Sequence, residues 1–243
     1  DGTPSSEYGS WRTGENYRWT ARGGAGREIG FDPEVVAAER QNRAQARSAA
    51  HREAAERARR IWDSAIDPDP AHQYLRGKAI RPIGIRRHRD ALVVPMRDVA
   101  GRLWSLQFIA PDGRKRFLRD GRTKGLLHAI GARTPRIWLC EGYATGASLH
   151  QDLGDQVLVA FTCGNLEAVA EAVLQRRPPH SLTIMGDDDH LTPGNPGITA
   201  AKSVAEKFGL QWFRPEFPPN RPTWSSDYND ASRLWATARK GAA

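Results

Sequence analysis

Two groups of acidic residues follow short apolar runs and could perform chemistry together. Glu141 comes directly after "RIWLC", and Asp187, Asp188 and Asp189 come one glycine after "SLTIM". Carboxylates that lie close together repel one another unless a cation lies between them. Mg²⁺ prefers hard oxygen ligands and commonly leaves several positions to water and substrate phosphate. These acids therefore predict a Mg²⁺ site that is open to a phosphate-bearing substrate.

The elements around these acids predict how they are positioned. From Pro135 onward, short apolar strands alternate with amphipathic helices, which is typical of a parallel sheet covered by helices on both faces. The predicted strands are 136–140, 156–161 and 181–186, and the predicted helices are 143–153, 165–177 and 197–209. Ligands of such sheets gather at the carboxyl ends of the strands. If the first and third strands are neighbours, all these acids meet at one edge.

The alternation of side chains along an extended chain predicts different roles for the three aspartates. Alternation turns Asp187 and Asp189 to one side and Asp188 to the other, so the first and third are the predicted metal ligands and Asp188 is an outer-shell or solvated residue. Gly142 and Gly186 are predicted to keep side chains from crowding the site. The alternative is that acids at strand ends serve as helix N-caps or turn formers. Glu141 at a matching strand end favours the metal site.

Two further acids precede a short predicted helix near the end of the chain. In "WSSDYNDASRLWATARK", Asp227 either completes the acidic group or caps the helix, and Asp230 is the other candidate for the cap. The sequence leaves both alternatives open.

The first half of the chain has a different character. Residues 1–30 are rich in Gly, Ser and Arg and predict a flexible arm. A long helix is predicted near 33–65, with Asp32 as N-cap and Pro33 at the first helical position. Its apolar residues cluster at the two ends, which predicts a solvated middle. Strands are predicted at 91–96 and 102–109, followed by a third strand-like run after "PDG".

Charge is distributed unevenly along the 243 residues, whose formal net charge is +8. Residues 1–135 carry 26 Lys and Arg against 16 Asp and Glu, and residues 136–243 carry 10 against 12. A basic part followed by a mildly acidic one suits a protein that holds a polyanion with the first and a metal with the second. The alternative is an Arg-rich solvated surface. The presence of only two cysteines argues against a disulfide scaffold and against a four-cysteine zinc module, and we expect a cytoplasmic location.

The stretches "IWLCEGYATGAS" and "LTIMGDDDH" resemble the Toprim domain, over about residues 136–232. Toprim domains occur in bacterial-type primases, topoisomerases of types IA and II and some nucleases. Upstream, "LVVPMRDVAGRLWSLQFI" and "KRFLRDGRTKGLLHAIG" resemble the basic, strand-rich part that precedes Toprim in primases related to the bacterial replicative (DnaG-type) enzyme. That order points to primases of phages, plasmids and integrated mobile elements.

The resemblance implies a fold and a set of site residues. It implies an α/β Toprim catalytic domain over 135–243, with a Rossmann-like parallel sheet and helices on both faces. A basic α+β subdomain with a long N-terminal helix precedes it over 31–134. Glu141, Asp187 and Asp189 match the catalytic acids and metal ligands, and Asp227 matches a later metal-binding acid. The implied contacts to nucleic acid or nucleotide are Arg97, Arg114, Lys115, Arg116, Arg119 and Lys124.

The implied activity is that of a DNA primase, which makes oligonucleotide primers on a single-stranded DNA template by metal-dependent nucleotidyl transfer. The implied cofactor is Mg²⁺ or Mn²⁺, with no zinc in this chain because the family's zinc-binding module is absent from these residues. Partners are template DNA, NTPs and, as a candidate, a replicative helicase, with no membrane. The alternatives are a Toprim-type metal-dependent nuclease and a non-catalytic nucleic-acid-binding accessory protein. The basic first half favours the primase.

Overall fold

The computed structural model describes residues 5–9, 16–20, 33–176 and 181–241. The chain divides into two compact units, Asp1–Ala49 and Ala50–Ala243. In the first unit, strands β1 (Ser5–Gly9) and β2 (Asn16–Thr20) pair antiparallel. The arm predicted over 1–30 thus contains a hairpin that its sequence did not predict, and its flexibility stays a prediction.

The long predicted helix is present as α1 (Pro33–Ser64), with Pro33 at its first position. Residues 37–48 are exposed, as the polar middle of the pattern predicts. The second half is anchored instead, since Ala58 is buried against a cluster that includes Val93, Leu106 and Phe108. The N-cap predicted at Asp32 lies outside the described residues.

An antiparallel sheet follows the helix α2 (Gln73–Lys78). Its strands are β3 (Arg86–His88), β4 (Ala91–Arg97), β5 (Leu103–Ile109) and β6 (Lys115–Phe117), in the spatial order β3-β4-β5-β6. The strands predicted at 91–96 and 102–109 and after "PDG" are β4, β5 and β6. Alternate residues of β4 enter different cores, because Val93 packs on the side of Ala58 whereas Val94 and Met96 pack against the rest of the second unit.

The second sheet contains the strands that end in acids. Its members are β7 (His128–Ile130), β8 (Arg136–Cys140), β9 (Gln156–Val159), β10 (Ser181–Met185) and β11 (Gln211–Phe213), in the order β11-β10-β8-β9-β7. Four strands are parallel, and β7 pairs antiparallel with β9. The sequence predicted β8, β9 and β10 but neither three-residue edge strand. Because β7 lies before residue 135, the sheet takes one edge from the segment predicted to form the preceding subdomain.

Helices cover both faces of this sheet, as predicted. Helices α3 (Tyr143–Leu153) and α6 (Tyr228–Gly241) pack together on one face, and α4 (Leu166–Arg176) and α5 (Pro196–Phe208) pack together on the other. Successive residues of β8 point to opposite cores, since Trp138 and Cys140 join the α3 side while Ile137 and Leu139 join the α4 and α5 side. Continuous apolar strands are therefore what this sheet requires.

The register of β8 and β10 brings the acids to one edge. The two strands are parallel neighbours with Leu139 opposite Ile184, so both chains leave the sheet on the same side. Glu141 begins one exit and Asp187 begins the other.

Two further observations concern the cysteines and the helices. Cys140 is buried in β8 and Cys163 lies in the short 3-10 helix before α4, and both are free thiols. Within the described ranges, no helix combines the length and the apolar character that crossing a membrane requires.

We expect Gly146→Ala to destabilise the protein relative to Gly77→Ala. A Cβ on Gly146 would lie 2.8 Å from Val159 Cγ2, whereas one on Gly77 would meet nothing within 4 Å. Both substitutions increase helix propensity by a similar amount. The difference in unfolding free energy between the two variants therefore measures the steric overlap of the new methyl group with Val159, which we expect to cost about 1–3 kcal/mol. Denaturant titration measures it. Equal stability of the two variants would mean that α3 moves away from the sheet without cost.

Candidate active site

The site is built from carboxylates that the fold takes out of water. Burial, and then the charge of Asp189, raises the pKa of Glu141 to about 7. Burial, followed by the charges of Glu141, Asp227 and Asp189, raises the pKa of Asp187 well above its usual value. The four carboxylates therefore act on one another electrostatically at a single edge of the sheet.

Two buried oxygens at this edge have no hydrogen-bond partner among the described residues, namely Glu141 Oε1 and Asp187 Oδ1. A buried acceptor without a donor is costly, and a hard cation would satisfy both oxygens. The donor set thus fits a divalent metal ion. In the part of the chain that the structure describes, however, no three His, Cys, Asp or Glu side chains are already arranged to hold one. The acids lie at one edge of the sheet, and their convergence on a single metal ion is a proposal.

A glycine that the sequence reasoning did not single out makes this edge narrow. A Cβ on Gly197, in the first turn of α5, would lie 2.3 Å from the backbone oxygen of Asp187 and 2.9 Å from Glu141 Oε1. The Gly197 amide also donates to Asp189 Oδ2 at 3.3 Å. The start of α5 therefore touches all three acids. The sequence signal is the glycine at the first position of the helix predicted over 197–209.

Asp188 points away from the other acids and organises the loop. It is buried and accepts from Arg221 at 2.5 Å and from Asn195 at 2.7 Å. Burial alone would raise the pKa of Asp188, but these hydrogen bonds and the charge of Arg221 lower it below the usual value. The sequence predicted that Asp188 is either an outer-shell residue or a solvated one, and because Asp188 is buried the solvated alternative is wrong. Asp188 instead ties its loop to the segment that leads to Asp227.

Asp227 combines the two roles that the sequence left as alternatives. Its Oδ1 accepts from the backbone amide of Asp230 at 2.8 Å, which caps α6. Its charge also raises the pKa of Asp187, so it belongs to the acidic group electrostatically. Asp230 is bound instead by Lys78, whose Nζ lies 3.1 Å from Asp230 Oδ1 and 3.7 Å from Asp227 Oδ2.

A cavity of about 470 Å³ opens beside these acids. Its lining includes Asp187 and Asp227, together with Lys115 from β6 and Tyr74 from α2. Lys115 is exposed, and its Nζ would lie 3.8 Å from a Cβ on Gly142, at the start of α3. No side chain caps this end of α3, and Gly142, Ala144 and Thr145 line the cavity, so the positive end of the helix dipole lies at the cavity. The lining of one cavity therefore combines carboxylates with an ammonium group and the start of a helix.

Comparison with known proteins identifies this arrangement. Residues 136–234 match the family model described as the Toprim domain. This chain carries a Toprim domain. The match begins at β8 and includes all four acids of the site, so the resemblance read from the sequence is confirmed. Primases that contain this domain depend on a divalent metal.

Relatives extend the similarity to the residues before the Toprim domain. The chain is 33% identical over 251 residues to one DNA primase TraC of Escherichia coli, and 32% identical over 241 residues to a second DNA primase TraC of that species. Each alignment covers 93% of this chain but only 23% and 17% of the respective relative. The chain thus spans less than a quarter of the length of the curated relatives that it matches.

One solved structure supports the fold. The DnaG primase catalytic domain bound to single-stranded DNA superposes with a TM-score of 0.52, at 14% identity, over 82% of this chain and 78% of that one. At this level of identity the similarity concerns the fold alone.

The basic residues predicted to contact nucleic acid are placed in different surroundings. Only Lys115 lines the cavity with the acids of the Toprim domain. Arg97 lies over the Trp62 ring, 5.8 Å from its centroid, and lines a separate cavity of about 260 Å³. Arg114 pairs with Asp112 at 2.6 Å in the turn before β6. Arg116 lies over Phe108, Arg119 is 3.7 Å from Asp120, and Lys124 is exposed. Their roles stay predictions.

The two glycines predicted to leave room beside the acids differ. A Cβ on Gly186 would lie 2.8 Å from Ala201 Cβ, so this glycine allows β10 to end close against α5. On Gly142 a Cβ would lie 3.7 Å from Thr145 Oγ1 and 3.8 Å from Lys115 Nζ, which are ordinary contacts. Gly142 therefore has room for a Cβ, and its role in keeping longer side chains away from the acids stays a prediction.

We expect Glu141→Gln to stabilise the metal-free protein at pH 8 more than at pH 5. The pKa of Glu141 is raised from 4.5 to about 7. Protonation of this carboxylate therefore stabilises the folded protein fully below about pH 4.5, and that stabilisation is lost as the pH rises through 7. The neutral amide avoids this loss, and its unfolding free energy should exceed that of the parent by on the order of 1–3 kcal/mol at pH 8. Denaturant titration in EDTA at both pH values measures the difference.

The matched control is Glu206→Gln, on the exposed face of α5. It should shift stability equally at both pH values. A Glu141→Gln effect that does not grow with pH would contradict the burial of this carboxylate as the source of the shift.

Proposed function

We propose that this chain is the primer-synthesising core of a DNA primase. It joins a 3′-hydroxyl to the α-phosphate of an incoming NTP opposite a single-stranded DNA template, and the bond between the α- and β-phosphates breaks to release pyrophosphate and the hydroxyl proton. The observation that carries the proposal is one cavity lined both by acids of the Toprim domain, Asp187 and Asp227, and by the ammonium group of Lys115, whose charge acts on Asp187. Similarity to DNA primase TraC over nearly the whole chain supports it.

Glu141, Asp187 and Asp189 are the ligands that we propose for a divalent cation, Mg²⁺ or Mn²⁺, with Asp227 as a further ligand. Support comes from the two buried oxygens without donors and from the mutual repulsion of the carboxylates. When bound, such a cation supplies positive charge that favours ionisation of the attacking hydroxyl and offsets charge on the phosphates. Asp188 takes no part in this set, because Arg221 already neutralises it.

The chain's own groups bind and orient the triphosphate. Lys115 has no ion pair within 4 Å among the described residues, so its ammonium group is available to phosphate oxygens. The first turn of α3 adds backbone N–H donors, which suit phosphate at a helix N-terminus. Lys78 is different, because Asp230 and Asp227 already hold it. We therefore assign charge neutralisation of the substrate to Lys115, and positioning of Asp227 to Lys78.

The template is the proposed partner of the basic first half of the chain. Arg97, Arg114, Arg116, Arg119 and Lys124 are the proposed contacts to its backbone, by phosphate interactions that weaken as salt concentration rises. A replicative helicase is a further candidate partner, and a cytoplasmic location accompanies the proposal.

We expect Glu141→Gln and Asp187→Asn each to reduce primer synthesis by on the order of a hundredfold or more, because each removes a carboxylate that we propose to hold the divalent cation. Incorporation of labelled NTPs on single-stranded DNA, with Mg²⁺ or with EDTA, measures it. Binding of labelled template should stay within about twofold of the parent, since these acids do not hold the strand backbone.

The same assay includes Glu206→Gln as a control that should retain full activity, and a labelled DNA strand that reports cleavage. Metal-dependent shortening of that strand without NTP incorporation would replace the primase proposal with a nuclease. Template binding without either reaction would indicate an accessory protein.

We expect Lys115→Met to raise the KM for NTPs by about ten- to a hundredfold, because charge-assisted hydrogen bonds to phosphate are lost. Lys115→Arg should restore most of the affinity, as the charge is kept. Lys202→Met, on the exposed face of α5, is the matched control and should leave KM unchanged. A kcat loss in Lys115→Met with unchanged KM would argue against triphosphate binding by this residue.

A further inference from the structure

A small cavity, separate from the one that Lys115 lines, includes Asp189 in its lining. Its volume is about 190 Å³, and its lining includes Leu191 and Trp224 together with three hydroxyl-bearing residues, Thr192, Thr223 and Ser226. Trp224 is 61% exposed and Leu191 is 69% exposed. Large apolar side chains left in water beside a site of charged groups call for an explanation, because their exposure costs free energy.

The two loops that carry these side chains are fastened to each other. Arg221 donates to Asp188 Oδ2 at 2.5 Å, to the Asp188 backbone oxygen at 3.2 Å and to the Ser225 backbone oxygen at 2.7 Å. The Asp188 amide donates back to the Ser226 oxygen at 2.7 Å. Trp224 thus projects from a segment that is held at both sides rather than from a free loop.

Each loop is also closed within itself. The Ser225 amide and hydroxyl both donate to the Pro222 oxygen, at 3.1 and 2.7 Å, so a tight turn carries Trp224. The Thr192 amide donates to the Asp189 oxygen at 2.7 Å, which closes the turn that carries Leu191. Arg221 itself is fixed by Phe217, whose ring centroid lies 3.8 Å from its guanidinium carbon. A preorganised apolar surface loses little entropy when a ligand covers it.

We propose that Trp224, supported by Leu191, is a stacking platform for a nucleobase beside Asp189. The inference rests on the proposed function, since it places the base next to the acids that act at the phosphate. An indole face suits the flat π-surface that every base presents, and the hydroxyls of Thr192, Thr223 and Ser226 provide donors and acceptors for its polar edge or its sugar. The base belongs either to the nucleic-acid strand or to the incoming nucleotide.

The experiment compares ligands with and without bases. Parent, Trp224→Ala and Trp224→Phe proteins are titrated with a labelled oligothymidylate and with an abasic strand of equal length, and binding is followed by fluorescence anisotropy. A second arm measures binding of ATP and of ribose 5-triphosphate, which lacks the base. Leu153→Ala is the matched control, because Leu153 is 42% exposed at the far end of α3.

If the strand supplies the base, Trp224→Ala weakens oligothymidylate binding by on the order of five- to a hundredfold and leaves the abasic strand unchanged. If the nucleotide supplies it, the same loss is seen for ATP and not for ribose 5-triphosphate. Trp224→Phe retains most of the affinity in either case, and Leu153→Ala retains all of it.

An unchanged affinity for both base-containing ligands would overturn the proposal. So would an equal loss for ligands with and without bases, since that loss would come from the phosphate or from misfolding. Because binding is measured without turnover, a parent protein that shows the base-dependent difference but makes no primers would contradict the proposed function and not the platform.

Discussion

The burial of like-charged carboxylates at one edge of a parallel sheet is the constraint on which this structure depends. Glu141 and Asp187 lie at the exits of neighbouring strands, and one buried oxygen of each has no hydrogen-bond partner among the described residues. Such a group destabilises the folded chain, as clustered functional groups commonly do. The surrounding structure must therefore hold the carboxylates in place against their own repulsion, and most of the specific features of this fold serve that requirement.

Close backbone packing is one part of that support. Gly186 lets β10 end against Ala201, and Gly197 lets α5 begin against Asp187 and Glu141. The second part is the ion pair of Asp188 with Arg221, which fastens the aspartate loop to the segment before α6. Three consecutive acids thus have separate physical roles, because the middle one is neutralised within the protein and the outer two stay available.

The strand-rich segment before the Toprim domain is part of the same packing unit. Val94 and Met96 of β4 share a core with Trp138 of β8 and Tyr143 of α3, and β7 completes the Toprim sheet. This shared core fixes β6 over the acidic edge, and Lys115 on β6 reaches the start of α3. A basic segment that was merely tethered to the sheet could not place one ammonium group so near the carboxylates.

The sequence by itself determined the alternation of strands and helices, the strand ends at Glu141 and Asp187, and the long polar helix α1, because these follow from local periodicity and from residues at element boundaries. It could not determine the edge strands β7 and β11, since three residues carry too little pattern. Nor could it choose among the roles of Asp188, Asp227 and Gly197, or separate Lys115 from its basic neighbours. Those choices depend on contacts between residues distant in the chain, and only the tertiary structure decides which distant groups meet.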